Sequence, residues 1–226
     1  MIETVQPALR RVGIIGDVHG EDRALAVVLE YLLQMRSLEA LICTGDLMDT
    51  RGMGDAYRCC MLLRDAGVLT VRGEFDDRYH LKVAGDGGAQ IAASDETAAR
   101  FIAGLPTTRG FDTVQGPLLL CHGFGESDLR GLDPAGTNAD IGAAIEQDGL
   151  GGFRFIVAGH SHERGVRTVD DTVLINAGSL FWEDAPCFLV ADFAAGTVQY
   201  FDVAPFTNLI TPAKVISIST GKIATP

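Results

Sequence analysis

The chain has 226 residues, 47% of them hydrophobic, enough for one sizeable core and too few for two comfortable domains, so a single domain over residues 1–226 is expected, with its core at about 10–204. The formal charge of -12 and pI near 4.7 disfavour long nucleic acid or an anionic membrane as partner, and leave a homo-oligomer open. No apolar run precedes the first motif and none approaches the roughly 18 residues of a membrane span, and Cys43, Cys59, Cys60, Cys121 and Cys187 are odd in number without metal-type spacing; a cytoplasmic protein with reduced, buried cysteines is expected.

Short apolar runs at Val12 to Ile15, Leu41 to Cys43, Val68 to Val71, Leu118 to Cys121 and Phe155 to Val157 read as strands covered on both faces, each ending in a glycine-rich motif. Between the early strands, Leu25, Val28, Leu29, Leu32 and Leu33 follow helical spacing and read as core, as do Ala56, Cys59, Cys60 and Leu63. A third helix is expected from an N-cap at Ser94 to about Pro106, and a fourth around Ile141, Ala144 and Ile145, ended by Gly151-Gly152. Gly165 to Val169, Val173 to Ile175, Phe188 to Ala191 and Val198 to Val203 then read as strands without intervening helices, with hairpin turns at Asp170-Asp171 and Ala195-Gly196. The tail, residues 205–226, is an extension with one apolar patch, Val215 to Ile218, whose order the sequence leaves open.

The motifs carry the chemistry. In chain order they are Gly16-Asp17-Val18-His19-Gly20, Gly45-Asp46-Leu47-Met48-Asp49, Gly73-Glu74-Phe75-Asp76, His122-Gly123 and Gly159-His160-Ser161-His162. Asp17 with His19, and His160 with His162, alternate across strand-to-loop turns, so each pair can reach one ion. Aspartates, histidines and a bridging carboxylate are the donors that two divalent metals about 3.5–4 Å apart require to clamp a phosphoryl group. Open α/β sheets place ligands at strand C-terminal ends, where these motifs fall. No G-x-S-x-G elbow or P-loop occurs, and Cys121 lies inside an apolar strand.

With these motifs the chain resembles the calcineurin-like metallophosphoesterase superfamily, whose pattern is D-x-H, G-D-x-x-D, G-N-H-[DE], a lone histidine and G-H-x-H. Within it the small bacterial and archaeal phosphodiesterases are most similar, and Asn176-Ala177-Gly178-Ser179 resembles their N-P-G-S turn. The resemblance implies an α/β fold, a sandwich of two mixed β-sheets flanked by helices. It implies that Asp17, His19 and His162 hold one ion, that His122 and His160 hold the second, and that Asp46 bridges them, making Asp46 and His122 catalytic candidates. The ions would be two divalent cations (Mn, Fe, Zn or Ni, with Mn favoured). The reaction implied is in-line attack on phosphorus by a metal-bound hydroxide, on a small phosphodiester or phosphomonoester.

One motif departs from the pattern. Glu74 stands where the family has a ligand asparagine, and Phe75 where it has a histidine credited with assisting the leaving oxygen. Glu74 is either a third carboxylate ligand, favouring harder ions, or swings away in favour of water. His80 is either a solvated loop histidine or a replacement acid. Asp76, Asp49 and Asn176 are expected to support the ligands by hydrogen bonds. Arg72 and Arg51 are candidates for substrate phosphate, and Phe181 and Trp182 either stack a base or pack. The missing histidine also suits a dinucleoside polyphosphate hydrolase, whose leaving groups are good. A non-catalytic metal-binding scaffold is the alternative of another class.

Overall fold

A computed structural model describes residues 7–48, 54–85, 92–127, 136–207 and 209–218. Strand β1 (Arg11–Ile15) is followed by α1 (Asp22–Gln34), β2 (Ala40–Cys43), α2 (Ala56–Asp65) and the short β3 (Leu69–Thr70), and the three strands pair in parallel. Two helices, α3 (Glu74–Gly85) and α4 (Ala93–Ala103), precede the hairpin of β4 (Thr108–Thr113) and β5 (Gly116–Cys121). After α5 (Asn138–Gln147) and β6 (Phe155–Ala158) the chain runs through β7 (Arg164–Val169), β8 (Thr172–Ala177), β9 (Cys187–Asp192), β10 (Thr197–Val203) and β11 (Ile210–Ser217).

These strands form two mixed sheets, ordered β11-β10-β9-β1-β2-β3 and β4-β5-β6-β8-β7. The period of two along each strand decides what each face meets. On β1, Val12 and Ile14 join Leu118, Leu120, Phe155, Val157, Val173 and Ile175 in the core between the sheets. Ile15 belongs instead to the core under α1, α2 and α4, with Leu25, Leu29, Cys59, Leu63 and Ile102. On the other sheet Leu119, Ile156 and Leu174 meet Ile141 and Ile145 of α5. The result is a helix, sheet, sheet, helix sandwich, and burial of each Ile, Leu or Phe in its cores contributes about 1.5–3 kcal/mol.

Several local expectations change. Leu33 is 58% exposed, because it stands about 80° around the helix from Leu25 and off the stripe that the other four leucines and valines make. Helix α4 begins at Ala93 with Ala92 as its uncapped N-cap, so Ser94 lies within the first turn; Asp95 and Glu96 there complement the helix dipole instead. Helix α5 ends at Gln147, before the expected Gly151-Gly152, and starts from a capping box between Thr137 and Asp140. Strand β4 and helix α3 were not expected. The α3 residues that are buried are Glu74 and Asp76, so no apolar stripe announces the helix. It places His80 on a helix, not in a loop. The tail patch around Val215 is part of β11, an edge strand paired antiparallel to β10. No helix among the described residues is long and apolar enough to cross a membrane.

Candidate metal centre

The motif residues meet where β1, β2, β5 and β6 end. Asp17 comes two residues after β1, Asp46 three after β2, His122 directly after β5 and His160 two after β6. Getting there bends the backbone: His19, Asp46, His160 and His162 all have φ between 47° and 67°. Left-handed backbone costs a non-glycine residue roughly 1–3 kcal/mol, and it concentrates here because the turns must swing side chains back over the strand ends. Hydrogen bonds lock the bends, with Val18 N and His19 N both donating to Asp46 O at 3.0 and 2.8 Å. Gly159 and Gly73 are required by close approach. A Cβ on Gly159 would collide with Asp17 Oδ1, and one on Gly73 with Asp46 Oδ1 and, at 2.8 Å, His122 Cε1.

Three groups of donors converge, each within 4.8 Å among themselves: Asp17, His19 and His162; Glu74, His122 and His160; Asp17, Asp46 and His122. In the first, His19 Nε2 and His162 Nε2 face each other at 2.8 Å, and His162 Nε2 is 3.3 Å from Asp17 Oδ2. The opposite ring nitrogens are engaged, His19 Nδ1 at 3.2 Å from Met48 O and His162 Nδ1 at 2.6 Å from Asp184 Oδ2. With both Nδ1 atoms donating, both Nε2 atoms, once free of protons, present lone pairs to the same spot. In the second, Glu74 Oε2 lies 2.7 Å from His122 Nε2 and 3.2 Å from His160 Nδ1. The carboxylate at position 74 therefore reaches the histidines in spite of its extra methylene.

Asp46 lies between the groups. Its Oδ1 accepts from Phe75 N at 3.0 Å, while Oδ2 is 3.3 Å from His122 Nε2 and 3.9 Å from His19 Nε2. Asp46 Oδ2 is buried without a hydrogen bond, a cost of about 1–3 kcal/mol, and His122 Nε2 faces the Glu74 and Asp46 carboxylates without a well-directed hydrogen bond to either. A cation relieves both that and the opposed lone pairs, so the donor set fits two divalent ions, which Asp17, His19, His162 and Asp46, and Glu74, His122, His160 and Asp46, would hold.

The protonation energetics agree. Burial pushes Asp46 up, against His122, with the nearby charges of Asp17 and Glu74 adding to the rise. Burial would also raise Asp17 and Glu74, but neighbouring histidines outweigh it and hold both below the carboxylate range. His162, despite its burial, is lifted to about 9 by Asp17 and Asp184. Without metal the site thus holds protons where it would otherwise hold cations. A raised imidazole pKa stabilises the metal-free fold fully below the ordinary 6.5, and that contribution is lost as pH rises through 9. The metal-free protein is expected to melt at progressively lower temperature from pH 6.5 to 9, and manganese affinity to rise over the same interval as the competing proton leaves. Asp184→Asn should shrink both trends and weaken metal binding about 10–100-fold. Parallel pH series by scanning calorimetry and metal titration check this, and a flat profile would count against it.

The remaining candidates have distinct surroundings. Asp76 accepts from Leu47 N at 2.8 Å and Gly73 N at 3.0 Å, tying the β2 turn to α3; burial, with Asp46 nearby, pushes its carboxyl up to about 7. Asn176 Nδ2 donates to Ser161 Oγ at 2.6 Å, between the two histidines of the last motif. Arg72 Nε is 3.1 Å from Asp77 Oδ1, so an ion pair engages the side chain offered to substrate. His80 belongs to none of the donor groups, and its Nδ1 is buried without a partner. Phe75 packs edge-on against His19 at 5.3 Å, with the Arg78 guanidinium 4.9 Å above its ring. Asp49 and Arg51 lie outside the described residues. All five cysteines are buried and free, and burial pushes the Cys121 thiol up to about 12, which removes it as a nucleophile.

Two residues of the site were missed by sequence reasoning. Asp184 orients His162, and Thr44 Oγ1 donates to Asp17 Oδ1 at 2.9 Å while Thr44 O faces His122 Nδ1 at 3.0 Å. Thr44 had a signal, its position between a strand end and Gly45; Asp184, in a polar turn, had none.

A two-sheet sandwich with buried carboxylates and histidines converging at its strand ends defines the class as metallophosphoesterase-like. The chain belongs to the calcineurin-like phosphoesterase superfamily, whose domain profile matches residues 11–196. Among solved structures it is similar to hypothetical protein PH1004 from Pyrococcus horikoshii OT3 (TM-score 0.70, 12% identity, 86% of this chain and 88% of that one). A novel archaeal phosphodiesterase (TM-score 0.53, 15% identity, 85% and 99% covered) shares the fold too. So does Vps29 complexed with zinc from Entamoeba histolytica (TM-score 0.54, 16% identity, 92% and 99% covered). No curated protein matches the sequence significantly.

Proposed function

We propose that the protein is a dinuclear-metal phosphodiesterase that hydrolyses small phosphodiesters, with manganese as its favoured metal. The observation that carries this reading is Asp46 Oδ2, buried and unpartnered between His19 and His122, where one carboxylate oxygen serves two donor groups. Two divalent cations bound there supply Lewis acidity toward phosphoryl oxygens and lower the pKa of water to make a nucleophile.

The chain's own residues account for orientation and charge. Met48 O and Asp184 hold the His19 and His162 rings with Nε2 inward, and Thr44 O does the same for His122. Asp17, Asp46 and Glu74 set three carboxylates against the four positive charges of two divalent ions, one more than an asparagine at position 74 would. The smaller surplus suits a singly charged diester over a dianionic monoester and favours hard manganese or iron. Phe75 provides no acid for the leaving oxygen, so good leaving groups are preferred.

Purified, manganese-loaded protein assayed on a nitrophenyl diester, a monoester and a dinucleoside tetraphosphate tests the reading. The diester should turn over fastest; preference for the tetraphosphate would instead make it a dinucleoside polyphosphate hydrolase, and no hydrolysis of any ester would favour a scaffold. Glu74→Asn is expected to keep two metals, shift preference from manganese toward zinc and raise the monoester to diester ratio. Unchanged metal preference and occupancy would remove Glu74 from the ligand set.

A further inference from the structure

Beyond His19 an open trough of about 1020 Å³ runs past Gly20 and Arg23 to Trp182 and Phe206. A recess of about 190 Å³ shares Arg23, Trp182 and Phe206 with it and adds Leu180 and Val203. Rings line the way out: Phe181 is 5.9 Å from His19, Trp182 6.1 Å from Phe181, and Phe206 5.8 Å from Trp182. The inner ring, Phe181, is buried, whereas Trp182 is 39% and Phe206 86% exposed.

The outer pair is costly to the fold. Phe206 holds a left-handed backbone, φ 64°, which a bulky side chain rarely adopts, and leaves most of its ring in water. The fold gains little burial in return, and such outliers gather at ligand clamps. The planes of Trp182 and Phe206 are tilted by 45° and the rings already touch, so they form a shelf for a flat group and not a cage around a round cation.

We infer that this shelf is a substrate subsite that stacks the uncharged base of a nucleoside phosphoester whose phosphate lies at the His19 and His162 end of the trough. The inference rests on the phosphodiesterase reading above and narrows its substrate class. The charge in the trough sets the ligand's phosphate count. Among the described residues lining it, Glu21, Asp22, Asp55 and Glu183 outnumber Arg23 and Arg58, and Asp22 is itself paired with Arg58 at 3.2 Å. A second phosphate here would be repelled.

Trp182 is the only tryptophan of the chain, so its emission reports on the shelf directly. The manganese-loaded 226-residue chain is titrated with AMP and with ribose 5-phosphate, which carries the same sugar and phosphate without the base. AMP should quench Trp182 and bind at least about tenfold more tightly, the scale of one base stacked on an aromatic ring. Phe206→Ala, a surface change whose fold is checked by circular dichroism, should collapse that ratio toward one, as should Trp182→Leu read by calorimetry. Hydrolysis of the nitrophenyl diester with equal affinity for the two ligands, or tighter binding of phosphocholine than of AMP, overturns the subsite alone. Absence of all ester hydrolysis together with binding of neither ligand overturns the phosphodiesterase reading and the subsite with it.

Discussion

Asp46→Asn is expected to lower diester hydrolysis by about 10³-fold and reduce the bound manganese from two ions to at most one. The magnitude follows from breaking a buried charge pairing, about 3–5 kcal/mol, at roughly tenfold per 1.4 kcal/mol. The substitution is nearly isosteric. The amide oxygen still accepts from Phe75 N, as Asp46 Oδ1 does at 3.0 Å. The new N–H₂ group points where Oδ2 stood, toward His122 Nε2, which Glu74 Oε2 still engages at 2.7 Å. Burial, with Asp17 and Glu74 nearby, already disfavours an ionised Asp46, so neutralising it should leave the metal-free fold as stable as before or more so. Thermal melts of the metal-free variant separate this from misfolding. Full activity with two ions retained would remove Asp46 from the bridging position.

Phe75→His is the complementary change, a gain. Phe75 is the second residue of α3, its amide bonded to Asp46 and its ring against His19, so a side chain at this position borders the ligand cluster. An imidazole there can donate a proton to a leaving oxygen, an effect of general acids commonly worth about 10²-fold or more. Hydrolysis of an alkyl diester, whose leaving oxygen is strongly basic, should rise by about 10²-fold, and that of a nitrophenyl diester by little. Equal changes on both esters, or a fall in both, would show that no acid is missing at this position. Some stability will be lost, since Phe75 packs partly buried against the core under α1 and α2 and carries the Arg78 guanidinium on its ring.

Both predictions depend on elements that differ in how far the sequence reveals them. Strands β1, β2, β5 and β6 are legible because each is buried on both faces and reads as a continuous apolar run. The α1 stripe is legible for a different reason, apolar residues at helical spacing along one buried face, save Leu33 at its margin. Helix α3 is not, because what it buries is Glu74 and Asp76, and polar residues become burial-competent only when partners from distant segments satisfy them. Strand β11 is equally hidden: as an edge strand it buries none of its own residues, and only the pairing with β10 specifies it.

The sequence by itself determined the kinds of donor, their order and their attachment to strand ends, since those follow from local composition and from the period of apolar residues. It therefore carried the family, and it exposed the substitution at positions 74 and 75. Only the tertiary structure decided that the Glu74 carboxylate meets His122 and His160, that Asp184 braces His162 across a turn, and that Trp182 and Phe206 continue the site outward. The reason is distance along the chain. Contacts between segments 22 to 86 residues apart arise when two sheets close on a common core, and no periodicity within one segment encodes which side chain will lie opposite.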